Sequence, residues 1–457
     1  MSLQAVRAPS RPWVVPLSLA LIGLVYLWFW AVVSHRIAGQ PFEGFAKVFM
    51  TGCGDFEHFY LGAKALRDGT DLYVSGVRGY IYPPLIAFLF TPLTFFSVQT
   101  AAWIMLVVNM ALGLVCTWVL SSEVVRRLDI GATFERVIVV MALTTLLAAP
   151  KLRSELQMWQ TNILLMTALV LALRALDARP WLAGLLLGLA FNIKYLPILF
   201  LPYLLLRRRY RAAAWFVIGI LVFALLPALV SGWQANLANW AVALSGIAHL
   251  LGLSTTVPEA ANVDPIGIGH SISITSGLSR MLGEGAPPSH AMAIAACVAI
   301  ATALVLRWVY AYRDKPVFAW PVEARQGAQP FRGMVALEWA ALMTLALAFS
   351  PQTNPRHASM LMMAFAPLAA MLCFPADKST RWPALAGAAI LFFGLAFPPN
   401  TPEFARQLAW WRMVGGAGWC MVAMLPFYFA AGFSHLANSR RETTSTDSSG
   451  VPLEAAG

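Results

Sequence analysis

Apolar runs alternate along the chain with short basic turns and a few longer polar stretches. Runs with few or no charges fall near residues 13–34, 99–121, 136–150, 160–174, 181–193, 195–206, 213–231, 289–311, 335–349, 359–374, 382–397 and 409–431. They predict an all-α polytopic membrane protein with about 12 transmembrane helices, several shorter than the roughly 20 residues a perpendicular helix needs. Short spans suit tilted or broken helices around an internal cavity. Residues 84–97 read as a short dipping or surface segment. With the N-terminus in the cytoplasm, Arg126, Arg127, Arg174, Arg179 and Arg207 to Arg209 all fall inside, as the positive-inside rule requires. A full crossing by 84–97 would carry the triple arginine outside. The polar loops 35–98, 151–160, 232–288, 350–358 and 398–408, and the turn at Lys194, then share the outer face.

This order divides the chain into a cytoplasmic N-terminus (1–12), one transmembrane domain (13–433) and a disordered cytoplasmic tail (434–457) rich in Ser, Thr and Glu. Within the domain, 35–98 forms a long first outer loop carrying juxtamembrane helices. The run 13–33 is too long for a signal-peptide core and reads as an uncleaved anchor.

Composition agrees. The 457 residues are 59% hydrophobic and 12% charged, where a soluble protein is about 45–50% apolar and about 25% charged. The net charge of +11 would point to nucleic acid in a soluble domain. Here loop orientation and anionic membrane lipids account for it, and no nucleic-acid partner is expected. Five cysteines form no CxxC pair or zinc spacing, so neither a disulfide framework nor a metal site is expected.

The chemistry concentrates in the polar stretches. GCGDFEHFYLGAKALRDGTDLYVSGVRGYIYPP (52–84) sets Asp55 between glycines and aromatics. Asp55 is either the N-cap of a helix over 56–67 or a general base at the mouth of the first span, and the base is the stronger reading. Glu57 and His58 suit an interfacial polar face as well as a site. Tyr82 belongs to an aromatic belt or stacks on a sugar. Gln160 and Asn162 either satisfy neighbouring helices or hold sugar hydroxyls. Lys194, between two apolar runs, either snorkels to the interface or meets an anion, with phosphate favoured. DPIGIGHSISITSGLSRML (264–282) offers His270 and Arg280, and SPQTNPRHASM (350–360) offers Gln352, Asn354, Arg356 and His357. An Arg-His pair at a helix entrance suits a phosphate, because the guanidinium forks onto its oxygens.

In this order the pieces resemble glycosyltransferase family 87, polyprenol-phosphate-mannose-dependent mannosyltransferases with the GT-C fold. The resemblance rests on Gly54-Asp55-Phe56, Leu72-Tyr73, Tyr82-Pro83-Pro84-Leu85, Gln160-Thr161-Asn162, Ala183-Gly184-Leu185, Lys194 with Pro197, and Ser271 to Arg280. The chain departs at Trp159, where the pattern has glycine, and at Tyr195-Leu196, where a smaller residue precedes proline. The resemblance implies inverting transfer of a sugar, typically mannose, from a polyprenyl-phosphate donor to a lipid or glycan acceptor. Asp55 would be the base. Lys194, Arg280, Arg356 and His357 would hold the donor phosphate, and Glu57, His58, Tyr82, Gln160, Asn162, His270, Gln352 and Asn354 would line the sugar and acceptor site. No cofactor is implied. The setting is a bacterial inner membrane, with the site facing the periplasm or exterior. The competing class is a transporter or lipid-linked-glycan flippase, which predicts inverted repeats that the sequence does not display.

Overall fold

The computed structural model describes residues 12–38, 55–75, 80–251, 253, 264–283, 285–313 and 329–447. The helices are α1 (Val14–Ala38), α2 (Phe56–Asp68), α3 (Pro84–Phe90), α4 (Val98–Arg127), α5 (Phe134–Gln157), α6 (Asn162–Ala175), α7 (Pro180–Ile193), α8 (Phe200–Leu206) and α9 (Tyr210–Leu225). They continue with α10 (Ala228–Ser231), α11 (Trp233–Leu250), α12 (Ile274–Leu282), α13 (Pro288–Tyr312), α14 (Gln329–Phe349), α15 (Met362–Cys373), α16 (Lys378–Ala396), α17 (Ala405–Met413), α18 (Gly416–Ala423) and α19 (Leu425–Asp447). Short 3-10 turns, Thr91–Phe95, Leu196–Leu199 and Pro355–Leu361, follow α3 and lead into α8 and α15. Among the described residues there is no strand.

The protein is an integral membrane protein of helices. Eight stretches among the described residues are long and apolar enough to cross a membrane, and four further apolar helices are shorter. The stretch 84–97 becomes α3 and its 3-10 turn, twelve residues over Pro84–Phe95 and too short to cross. The tail expected to be disordered from Ser434 is helical to Asp447. Ser434 lies against Ser379, and His435 reaches the carbonyl of Leu128 at 3.0 Å, so both are tied to the bundle. Residues 1–11, 39–54 and 448–457, which include parts of the expected termini and outer loop, lie outside the described residues.

Helix length places the polar chemistry. The 14-residue helices α6 and α7 fall short of the roughly 20 residues of a full span, so the junctions before Asn162 and after Ile193 are recessed relative to a full-length helix. Trp159 and Gln160, just before α6, reach Ala102 and Asn109 on α4. At 1.5 Å per residue those contacts lie about 6–16 Å in from the first residue of α4. Helices α7 and α9 pack closely because glycine meets glycine. A Cβ on Gly188 would stand 2.4 Å from the backbone carbon of Gly219, so only hydrogen fits. Small residues at such crossings let dispersion contacts replace the hydrophobic drive that lipid removes.

The far ends of the same helices are tied by a second polar layer. Arg127, fully buried, joins Glu123 and Asp177 and donates to the carbonyl of Leu173 at 2.8 Å. Asp177 also takes Arg209 at 2.6 Å. Glu338 on α14 receives Arg207, Tyr203 at 2.8 Å and Tyr310 at 2.9 Å. Removing one partner of such a pair strands a buried charge, at a cost of about 3–5 kcal/mol. Glu338→Ala is therefore expected to lower the thermal unfolding temperature in detergent far more than exposed Glu403→Ala; equal transitions would show that this layer does not hold the helix ends.

Candidate active site

Helix α2 starts the site. Its apolar positions Phe56, Phe59, Tyr60, Ala63 and Leu66 recur at helical spacing and are all buried, so one stripe faces the bundle. Gly69 ends the helix in the left-handed region at φ 70°. Asp55, at the N-terminal end, makes no side-chain cap. Its carboxylate, 13% exposed, instead meets the guanidinium of Arg356 at 2.8 Å, and Gln160 Nε2 donates to the same oxygen. Its side-chain bonds run to Arg356 and Gln160 and not to the helix.

The network continues through side chains that the fold brings to one level. An ionised carboxylate only accepts, so facing Asp55 fixes the Gln160 amide with Nε2 toward it and Oε1 away. That oxygen receives Tyr82 Oη at 3.4 Å and Lys194 Nζ at 3.3 Å. Lys194 Nζ also donates to Asn162 Oδ1 at 2.6 Å, lies 3.2 Å from His357 Nε2, and sits 5.5 Å from the centre of the Tyr82 ring. Phe59 packs against that ring, with centroids 4.7 Å apart. The backbone N–H of Asn354 donates to His357 Nδ1 at 3.3 Å. A neutral imidazole that accepts at Nδ1 carries its proton on Nε2. Two N–H donors, from Lys194 and His357, then face one another, and Arg356 Nε is buried without a partner among the described residues. An anionic oxygen would satisfy all three.

The structure thus brings together Asp55, Tyr82, Gln160, Asn162, Lys194, Arg356 and His357, with Asn354 orienting the imidazole. Other expected site residues stand apart. Arg280 directs its guanidinium to the carbonyls of Ile268 at 2.7 Å, Ser271 at 3.0 Å and Arg412, so it braces the loop before α12 instead of joining Lys194. Gln352 donates to the carbonyls of Asp264 and Pro265. His270 is exposed on the adjoining turn and His58 is half-buried on α2. Glu57 is turned into the protein, 8% exposed, and burial pushes its carboxyl up to about 7.

Sequence reasoning passed over Glu155. It is fully buried in the last turn of α5 and accepts from Asn162 twice, from the backbone N–H at 2.9 Å and from Nδ2 at 2.7 Å. Its one legible signal was a carboxylate seven residues before Asn162, in the polar stretch between two apolar runs. Trp159 also finds an explanation. Its backbone is left-handed, φ 47°, a region that favours glycine. The strain, of order 1–3 kcal/mol, is offset by an indole that is 1% exposed and donates to the Ala102 carbonyl at 3.1 Å.

The site is a recessed carboxylate facing a ring of nitrogen donors inside a bundle of apolar helices, an arrangement able to hold an anion. The chain belongs to glycosyltransferase family 87: the family model matches residues 80–324, more than half of its length. The matched segment holds Tyr82, Gln160, Asn162 and Lys194, while Asp55, Arg356 and His357 lie on either side of it. The chain is 29% identical over 314 residues to a polyprenol-phosphate-mannose-dependent alpha-(1-2)-phosphatidylinositol mannoside mannosyltransferase of Mycolicibacterium smegmatis, covering 64% of this chain and 63% of that protein. It is 30% identical over 203 residues to the protein of the same name from Mycobacterium tuberculosis, covering 41% and 47%. A pentamannoside mannosyltransferase of Mycolicibacterium smegmatis matches at 28% over 238 residues, 50% of this chain and 53% of that protein. The matches therefore span about half to two-thirds of these relatives.

Glu57 makes the local structure sensitive to pH. Its carboxyl is held near 7 in the folded chain against an ordinary 4.5, so the protonated form is the one folding favours. Its contribution to stability is fully present below about 4.5 and is lost as pH rises through about 7. Thermal unfolding of wild type and Glu57→Gln in detergent should diverge across that window, the variant losing less stability as pH rises. Parallel curves would refute the burial of this carboxyl.

Proposed function

We propose that the protein transfers a hexose, mannose by the analogy of its relatives, from a polyprenyl-phosphate donor to a lipid or glycan acceptor. The observation that carries the reading is the apposition of Asp55 to Arg356 at 2.8 Å, beside the Lys194–His357 pair. The donor brings its own leaving group, so the protein has to hold a phosphate, place a hydroxyl and take one proton.

The donor phosphate would enter where Lys194 and His357 present opposed N–H groups, and Arg356 would turn its fork onto the same oxygens. That exchange releases Asp55 from its ion pair. The freed carboxylate would accept the acceptor hydroxyl's proton as that oxygen attacks the anomeric carbon, on the face opposite the phosphate. The C–O bond to phosphate breaks, and the anion leaves without a proton because the three donors stabilise it. Configuration inverts in one displacement, and no second carboxylic acid is needed, in contrast to glycosidases. Tyr82 would border the sugar, and the Gln160 amide would hold Asp55 in line.

Charge supports the orientation. The end opposite the site carries Arg126, Arg127, Arg174, Arg179 and Arg207 to Arg209, which by the positive-inside rule faces the cytoplasm. The site would then face outward, where lipid-linked sugars and growing glycolipids meet.

Purified protein, given polyprenyl-phosphate mannose and a mannosylated phosphatidylinositol acceptor, should transfer label. Asp55→Asn should slow transfer by roughly 10²–10⁴-fold while donor binding persists. Full activity in Asp55→Asn, or an intact wild type with no transfer to any phosphatidylinositol or glycan acceptor, would overturn the proposal.

A further inference from the structure

We propose that Glu155 is a positioning residue for the donor-phosphate grip, acting on Lys194 through the side-chain amide of Asn162; this rests on the reading of Lys194 as a phosphate ligand. Glu155 touches neither substrate nor base in that reading. Its carboxylate is wholly buried at the α5–α6 junction, and both of its oxygens face N–H groups of Asn162 at 2.9 and 2.7 Å. The carboxylate, an acceptor at both oxygens, satisfies both bonds.

The consequence is directional. An asparagine amide has a donor face and an acceptor face. With Nδ2 bound to Glu155, Oδ1 must point the other way, and it receives Lys194 Nζ at 2.6 Å, the shortest bond that ammonium makes among the described residues. On the other side of Lys194, Gln160 is oriented in the same manner by Asp55. Two carboxylates therefore each turn an amide oxygen toward one ammonium. The remaining ammonium N–H is left to point at His357 and at the place assigned to the phosphate. Glu155 also supplies negative charge one residue removed, which offsets part of the cost of holding the lysine's charge in a low-dielectric setting.

Glu155→Gln reverses the relay. The amide oxygen introduced at position 155 still accepts the Asn162 backbone N–H, but its NH2 group meets Asn162 Nδ2. Relief comes by flipping the Asn162 amide so that its NH2 faces Lys194. The swap Glu155→Gln/Asn162→Asp restores every bond. The amide introduced at 155 then donates to the carboxylate introduced at 162, whose other oxygen receives Lys194. The two forms keep the same helix junction and differ in what reaches the ammonium.

The test uses the full chain in nanodiscs with polyprenyl-phosphate mannose, measuring donor KM and kcat from pH 6 to 9, with Asp55→Asn alongside. Glu155→Gln is expected to raise donor KM about tenfold or more, with kcat little changed. The alkaline limb of donor KM should move to lower pH, because Lys194 loses its charge more readily. The double swap should bring KM and the limb back toward wild type, and Asn162→Ala should repeat the KM defect. If Glu155→Gln fails to fold, the swap and Asn162→Ala carry the comparison. With Asp55→Asn inactive, unchanged donor KM in these variants, a fall in kcat alone, or a folded swap that rescues nothing would overturn the role of Glu155 and leave the transferase reading standing. An active Asp55→Asn would instead bring down the reading on which it rests.

Discussion

A charge held away from water in an apolar bundle has to meet a partner, and that constraint arranges this protein into two polar layers. At one end Arg127, Asp177, Arg209, Arg207 and Glu338 satisfy each other and fasten the helix ends. At the other end Asp55 and Arg356 join the outer helix α2 to the 3-10 turn before α15. The two layers differ in what is left over. Each buried cation of the first has a carboxylate partner within it, whereas the second sets donors on Lys194 and His357 against one another. Opposed N–H donors of this kind suit an anion.

Much of this was legible in the chain. Apolar runs with basic turns marked the membrane helices, because hydrocarbon tolerates only segments that satisfy their own backbone. Lys194 stood out because charge between such runs is rare, Asp55 because glycines and aromatics flank it, and Arg356 and His357 as a basic pair at a helix entrance. Their grouping could not be read, since α2, α6, α7 and the turn before α15 come together only in the folded bundle. Arg280 shows the limit: an arginine beside hydroxyls and glycines reads as a phosphate ligand, yet three backbone carbonyls claim it. Glu155 shows the reverse. A carboxylate in the last turn of a helix looks interfacial, and only the recessed α5–α6 junction makes it buried.

Helix length is what recesses that junction. Because α6 and α7 are short, Gln160, Asn162 and Lys194 lie inside the bundle, where a hydrogen bond or a charge acts more strongly than in water. The left-handed Trp159 belongs to the same economy of space. Its indole fills the step between α4 and α6 that a glycine would leave open, and fixes the backbone from which Gln160 reaches Asp55. Amide orientation then matters as much as charge, since both amides that face Lys194 are turned by a carboxylate.

The most direct measurement is a cryo-EM structure with a non-transferable mannosyl phosphonate analogue of the polyprenyl donor. The account predicts the phosphonate oxygens within hydrogen-bond distance of Lys194, Arg356 and His357, with the Asp55–Arg356 pair opened and Asp55 beside the anomeric carbon. A donor head group bound elsewhere, with Arg356 still on Asp55, would contradict it.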